Sequence, residues 1–322
     1  MYARSFRSWL TPILVALPVL AAAPPGDSPE RFASPDAAID TLVAAVRAGN
    51  VAQLRLLFGE AGLRDVSAGD PVANEAQRQK FVAAYDAKHA IDVKGDAATL
   101  SIGADDWPFA IPLKHASQGW TFDVAAGREE ILDRRIGANE LYTQQVMLAY
   151  VDAQIEYMQD LHDGNKLHVY AARLLSSPGK HDGLYWPTEV DQSPSPLGPL
   201  IAEARAAGYH PGENAEQQPF HGYYFGMLKG QGPHAPGGAY DYVVNGKMLG
   251  GFGLVAWPAH WGSTGVKTFV VNQDGEIYEK DLGPTTPAIA KGMTRFDPDT
   301  TWQKVGAPAP IAGEADDDPG GG

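Results

Sequence analysis

The sequence predicts an α+β protein of two domains, and three observations carry that reading. Apolar residues recur at helical spacing from Ile39 to Val46 and again along Arg128–Leu161. Between these stretches the period falls to two, with Ile91 and Val93, Leu100 and Ile102, then Trp107, Phe109, Ile111 and Leu113 alternating. From Phe220 to Pro287 the chain is a run of paired strands rich in aromatics and glycine, with Asp274-Gly275 as a hairpin turn whose two residues tolerate positive φ.

In chain order, Ser34 is an N-cap and Pro35 sits at N1, where its missing N–H costs nothing. Ile39, Leu42, Val43 and Val46 mark the first helix, and Gly49 ends it. Asn50 caps a short second helix carrying Leu54, Leu57 and Phe58. A third helix over Glu75–Tyr85 is expected to bury Phe81, Val82 and Tyr85. The alternating strands follow, with Gly95-Asp96 as a turn and Trp120, Phe122 and Val124 on the last strand. Helices followed by a curved antiparallel meander resemble the cone-shaped fold of nuclear-transport-factor-two-like domains, over about residues 32–127.

Arg128–Leu161 reads as one long helix with a break near Gly137. Leu141, Leu148, Val151, Ile155 and Met158 form its apolar stripe, and a second helical piece spans Leu167–Leu175. Residues 178–218 are rich in Pro, Gly and Ser and form an irregular connection with a short helix around Leu200–Ala207. Strands begin at Tyr223, with Tyr240 and Tyr242 on one face. A helix, an irregular connection and an antiparallel sheet, over residues 128–304, resemble the globular head of type IV pilins and pseudopilins. A prepilin cleavage site and a hydrophobic helix leading into Asn139–Leu161 are missing, so the resemblance implies a soluble head and not a fibre subunit.

The first residues have the pattern of a secretory signal peptide over residues 1–23: Arg4 and Arg7, an apolar stretch from Trp9 to Leu20, then Ala21-Ala22-Ala23. The apolar stretch falls short of the roughly 20 residues of a membrane span, and Pro12 and Pro18 interrupt it. A Pro/Gly linker over residues 24–31 follows, and residues 305–322 form an acidic tail with the composition of a disordered segment. The 322 residues carry a net charge of −14. Loss of Arg4 and Arg7 brings that to about −16, which excludes nonspecific nucleic-acid binding. With no cysteine there is no disulfide, thiol catalysis, Cys-ligated metal or lipidated anchor. A cleaved, unanchored, acidic chain suits the periplasm or the exterior.

Several longer strings carry a further resemblance. They include Arg134–Leu141, Tyr150–Gln154, Ser177–Pro187, Ser195–Leu200, Phe220–Tyr224 and Val271–Gly275. Together these resemble an exported bacterial family known only as a domain of unknown function, number twenty-nine fifty, across most of the mature chain. The resemblance brings no activity with it. It implies an Asp-rich loop after the long helix, but Asp160-Leu161-His162-Asp163-Gly164-Asn165 lacks the spacing of a calcium loop.

Candidate chemistry is thin. His260, Ser263 and Asp241 can be written as a triad, yet Gly262-Ser263-Thr264-Gly265 is not the Gly-x-Ser-x-Gly elbow and reads as a tight turn. Nine histidines include no His-x-x-x-His pair, so no metal and no cofactor is expected. His221 and His260, which flank aromatic clusters, are the two worth following. A pocket in the cone-like domain would use Trp107, Phe109 and Trp120, with Asp105, Asp106 and His115 at strand ends. The candidate binding surface is Tyr223, Tyr224, Trp257, His260, Trp261 and His221, because aromatics at strand ends and loops grip partners or sugar rings. The expectation is a non-catalytic envelope module that binds a protein. The alternatives are glycan or small-ligand recognition through Trp257, Trp261 and Tyr224, and a hydrolase or isomerase that uses the cone pocket or the His221/His260 region.

Overall fold

A computed structural model describes residues 29–67, 71–189, 191–209 and 219–306 of the chain. The expected export segment, most of the linker and nearly all of the acidic tail lie outside them. Local rules place the first helices. Ser34 Oγ accepts the Ala37 N–H at 3.2 Å and opens α1 (Pro35–Ala48), and Gly49 closes it at φ 59°. Asn50 Oδ1 accepts the Gln53 N–H at 3.1 Å and opens α2 (Val51–Val66), longer than expected because the chain kinks at Gly59 and continues. Next come α3 (Pro71–Ala87) and five strands: β1 (His89–Lys94), β2 (Ala97–Ile102), β3 (Trp107–Pro108), β4 (Leu113–Ala116) and β5 (Gly119–Phe122). They form an antiparallel sheet in the order β1-β2-β4-β5, with β3 beside β2.

Ile39, Leu42, Leu57 and Phe58 of the helices pack on Leu100, Ile111, Leu113 and Phe122. Phe81 and Tyr85 are half-buried at the margin of this core. The expected strand from Trp107 to Leu113 is broken. Pro108 and Pro112 have no N–H to donate, so β3 stops; Ile111 and Leu113 are buried in the core and Phe109 is half-buried at its margin. Trp107 is left exposed beneath the Arg134 guanidinium, 4.9 Å from its ring centroid.

The central helix, α4 (Val124–Gln159), runs 36 residues without a break at Gly137. Its first half lies on α2, where Arg128 pairs with Asp65 at 3.2 Å and buried Arg135 donates to the Asp65 carbonyl. Its buried face keeps only part of the expected stripe, the buried Val151 and the half-buried Leu148. Leu141 and Ile155 are 46% and 44% exposed, whereas Thr143, Met147, Tyr150, Gln154 and Tyr157 are buried. These five also follow a three-four spacing, but two of them are polar, which hides the face from a hydrophobicity pattern.

Gln154 shows what the polar positions do. Its Oε1 accepts the Ala171 N–H at 2.9 Å and its Nε2 donates to the Ala171 carbonyl at 3.0 Å. Leu167–Leu175 is accordingly an irregular segment with isolated bridges and not a helix. Val169 and Ala171, two apart, are buried, while Tyr170 bridges to Met248 and Leu175 to Tyr185.

After α5 (Gly198–Ala206) the chain enters its second half, with β6 (Tyr223–Leu228), β7 (Gly230–Gln231), β8 (Tyr240–Asp241), β9 (Val243–Val244) and β10 (Lys247–Met248). Then come β11 (Gly253–Pro258), β12 (Lys267–Asn272), β13 (Tyr278–Asp281), α6 (Thr286–Lys291), β14 (Arg295–Phe296) and β15 (Gln303–Lys304). The second large sheet is antiparallel in the order β15-β13-β12-β11-β6. Strand β11, between β12 and β6, is buried at all six positions. Leu254 and Ala256 face the α4 core with Phe269 and Val271, while Val255, Trp257 and Val270 meet Ala235, Ala290 and Phe296 on the opposite face. β12 and β13 pair as the Asp274-Gly275 turn predicts, though Val270↔Tyr278 closes a longer loop than two residues. Tyr242 is fully buried and Tyr240 exposed, because β8 ends at Asp241 and the alternation stops there. The chain is thus a mixed α+β fold, with six α-helices among the described residues.

Replacing Gln154 by Ala leaves a buried N–H and a buried carbonyl unpaired and opens space beside Tyr150. It is expected to cost about 3 kcal/mol in urea denaturation. Leu141→Ala and Ile155→Ala, on the exposed face, should stay within about 0.5 kcal/mol of the parent. The reverse ranking would show that the apolar stripe, and not the polar one, carries the packing.

Candidate functional site

The candidate residues converge at one end of the second sheet. Tyr224 pairs with Trp257 and Tyr223 with Pro258, and the Ala259 N–H donates to the Gly222 carbonyl at 2.9 Å. Residues 219–222 and 259–265 therefore lie side by side, and α4 pins them. Asn139 Nδ2 donates to the Thr264 carbonyl at 2.9 Å, and Glu140 Oε1 accepts the N–H groups of Val266 and Lys267 at 2.8 and 2.9 Å. The Tyr223 hydroxyl donates to the Lys267 carbonyl at 3.0 Å, with Glu140 Oε1 at 3.4 Å. Close approach demands glycine twice. A Cβ on Gly222, at φ 76°, would stand 2.7 Å from Asn139 Nδ2, and one on Gly265 would overlap the Tyr223 hydroxyl.

This geometry divides the expected surface. Tyr223 is fully buried, and so is nearly all of Trp257, so neither can grip a partner. Alternation along β6 and β11 sends them to opposite faces, and both faces of the sheet are covered. The Trp257 ring lies 5.9 Å from that of Tyr224, which is half-buried. His221, at φ 46°, rests its imidazole 3.8 Å from the Tyr142 ring, with Phe220 at 4.8 Å and Tyr209 at 5.1 Å. His260 is exposed. Trp261 is 37% exposed and donates its indole N–H to Asp281 Oδ1 at 2.8 Å, while it bridges to Gly265.

The alternative chemistries lose their parts to structural roles. Asp241 pairs with Arg295, and Ser263 and Thr264 both donate their N–H to the His260 carbonyl, at 3.0 and 2.9 Å, so the Gly262–Gly265 segment is a turn. In the first half Asp106 pairs with Lys88 at 2.7 Å, Phe109 packs on Phe81 and Trp120 is buried. Asp163, in the acidic loop, accepts the His181 N–H at 2.9 Å. Among the described residues no three His, Asp or Glu side chains converge as metal ligands. Asn139 and Glu140 were missed as site residues. Their partners are about 125 positions away, and no local pattern announces such a pairing.

Burial raises the phenol pKa of Tyr142, Tyr150, Tyr223 and Tyr242 well above the ordinary value. Carboxylates reinforce this at Tyr142 (Glu203) and Tyr223 (Glu140). The Tyr157 hydroxyl is pushed up to about 12, again chiefly by burial. A pKa raised in the folded state means the folded chain binds these protons more tightly, so stability is whole below pH ~10 and falls as pH climbs through the folded values. Alkaline titration of the 13 tyrosines should show two steps. A first rise in phenolate absorbance near pH ~10 leaves the circular dichroism unchanged, and a second accompanies unfolding. A single step with the fold retained would contradict this burial.

No curated protein and no solved structure matches the chain. A family model described as Protein of unknown function (DUF2950) matches residues 29–305, and the chain belongs to that family.

Proposed function

We propose that this chain is an exported, non-catalytic binding module of the cell envelope that takes a protein partner at the corner built by Asn139, Glu140, Gly222 and Ala259–Gly265. One observation carries the reading: Trp261 stays exposed while its indole N–H and its loop are both held from within. An aromatic side chain whose rotamer is set before binding loses little entropy on contact, and Trp is prominent among the residues that dominate protein interfaces. The exposed His260 precedes it in the same loop. Burial of Trp257 removes one of the three rings that a glycan platform would need, which favours a protein over a sugar.

In this reading residues 32–127 form the cone-like domain of nuclear-transport-factor-two-like type, and residues 128–304 a pilin-like helix on a sheet. The order of α1–α3 before an antiparallel sheet supports the first, and α4 against an antiparallel sheet supports the second. The covering of the second sheet's other face by α6 and β14 is an addition to the helix-on-sheet plan. The interior of the first sheet is filled by its own core, so it serves as a support and not a pocket.

Export places the module in the periplasm or outside the cell. No helix among the described residues is long and apolar enough to cross a membrane. Expressed whole, the chain should be recovered from the periplasmic fraction with its N-terminus within residues 22–24. Recovery of the uncut chain in the membrane fraction would refute export with cleavage.

A photo-crosslinking amino acid in place of Trp261, in the native host, should yield one protein adduct. The same group at exposed Val51 should not. Trp261→Ala should weaken capture of that protein by about 30-fold, near 2 kcal/mol, with the thermal melt unchanged. Adducts to glycan alone would replace the protein reading with the sugar one, and no adduct at position 261 would end both.

A further inference from the structure

Two tryptophans are exposed among the described residues, Trp107 at 56% and Trp261 at 37%. The first already carries a cation. The Arg134 guanidinium lies over its ring, 4.9 Å from the centroid, while Arg134 Nε donates to Glu130 Oε1 at 2.6 Å. Arg205 over Tyr185, at 5.3 Å, and Lys280 over Trp302, at 5.8 Å, repeat the cation contact on half-buried rings. Among the described residues no cation stands over Trp261.

Trp261 has an anion at its edge instead. Asp281 Oδ1 accepts the indole N–H at 2.8 Å and the Gly283 N–H at 2.7 Å, so both bonds fall on one oxygen. Asp281 is exposed, and its Oδ2 meets no donor among the described residues. Lys267, its neighbour across the ladder, gives its ammonium to Glu279 at 3.3 Å, so no described cation pairs with Asp281. A hydrogen bond from the indole N–H to an anion polarises the ring toward more negative charge on its face, and an indole face is already the best aromatic partner of a cation. The negative face and the negative oxygen adjoin, on a chain whose net charge is −14.

We propose that the Trp261 corner takes its partner by an arginine, whose guanidinium lies on the indole face and donates to Asp281 Oδ2. This rests on the reading of the corner as a protein-binding site and names the group recognised there. A planar guanidinium stacks on a ring while its N–H groups fork outward to an oxygen at the ring's edge; an ammonium is a compact point charge that satisfies only one of the two well. Trp107 and Glu130 share Arg134 in this way inside the chain. The acidic charge of the whole molecule steers a basic surface toward the corner, and Asp281 sets which side chain that surface must present.

The test is a titration of the nitrogen-labelled mature chain with acetylated hexa-arginine amide and with its hexalysine equivalent, following the indole N–H signals by NMR. Trp261→Phe and Trp107→Phe identify the two signals that matter. Hexa-arginine should move the Trp261 signal, bind there about threefold more tightly than hexalysine, and leave the signal of Trp107, which Arg134 covers, in place. Asp281→Asn keeps an oxygen for both N–H groups and removes the charge. It should weaken hexa-arginine by about fivefold, with the Trp261 indole N–H still protected from exchange. Asp92→Asn removes the same charge from the first sheet and should bind as the parent does. A Trp261 signal that stays put, hexalysine as tight as hexa-arginine, or Asp281→Asn equal to the parent would overturn the proposal. The reading beneath it fails separately. Capture of the crosslinked protein undiminished by Asp281→Asn would keep the protein and refute the arginine, whereas the expected shifts without any protein adduct would uphold the guanidinium site and end the protein reading.

Discussion

The structure depends on one buried amide. Gln154 sits inside α4, has no exposure to solvent, and bonds both backbone groups of Ala171, as a neighbouring strand would. Its Nε2 also lies 3.1 Å from the Tyr150 hydroxyl, which donates in turn to the Gly253 carbonyl at the start of β11. A side chain in this role fixes three things together: the rotation of α4, the path of residues 167–175 across the core, and the height of β11. A buried amide left half-satisfied costs more than its net bond contributes. The network therefore specifies one arrangement and penalises the neighbouring ones.

The same helix settles the opposite end of the sheet by the same means. Asn139 and Glu140, about four turns before Gln154, take up backbone groups of residues 264–267 that no strand reaches. Glycine at 222 and 265 lets two loops come within contact of these side chains and of Tyr223. α4 thus carries polar side chains at both ends of its buried face and apolar ones, Met147 and Val151, between them. The outcome is a helix held in register along its length, with the loop that bears Trp261 built onto it.

What could be read from the sequence follows this physics closely. Ser34, Pro35, Gly49 and Asn50 announced their helices because a cap is decided within four residues of chain. Gly95-Asp96 and Asp274-Gly275 announced hairpins for the same reason. Beyond Leu148 and Val151, the buried face of α4 is hidden from a hydrophobicity pattern because Thr143, Gln144 and Gln154 score as solvent-facing. Their partners are backbone groups of segments far along the chain. The non-helical path of Leu167–Leu175 has the same origin, since Gln154 and the bridges to Met248 and Tyr185 are all distant in sequence. At the site, the β-rich composition put Tyr223 at the start of a strand and Trp257 at a strand end, but carried no information on whether each face is covered. α6, β14 and Ala235 decide that, and they lie in separate stretches of chain.

The side chains that looked chemical are mostly structural, and that shapes the functional reading. Glu140 serves backbone N–H groups, Asp163 caps a turn, Asp241 holds Arg295 and His260 marks the start of a tight turn. A catalytic acid or base needs a free lone pair or proton aimed at a space where a substrate can sit. A binding surface needs only shape, apolar area and rigidity. Trp261 meets the second set of requirements, because Asp281 both accepts its indole N–H and receives the Gly283 N–H at 2.7 Å, which fixes the carboxylate that fixes the ring. Rigidity passed from α4 through the turn to an exposed aromatic is the property that a recognition module requires and that a core residue has no use for.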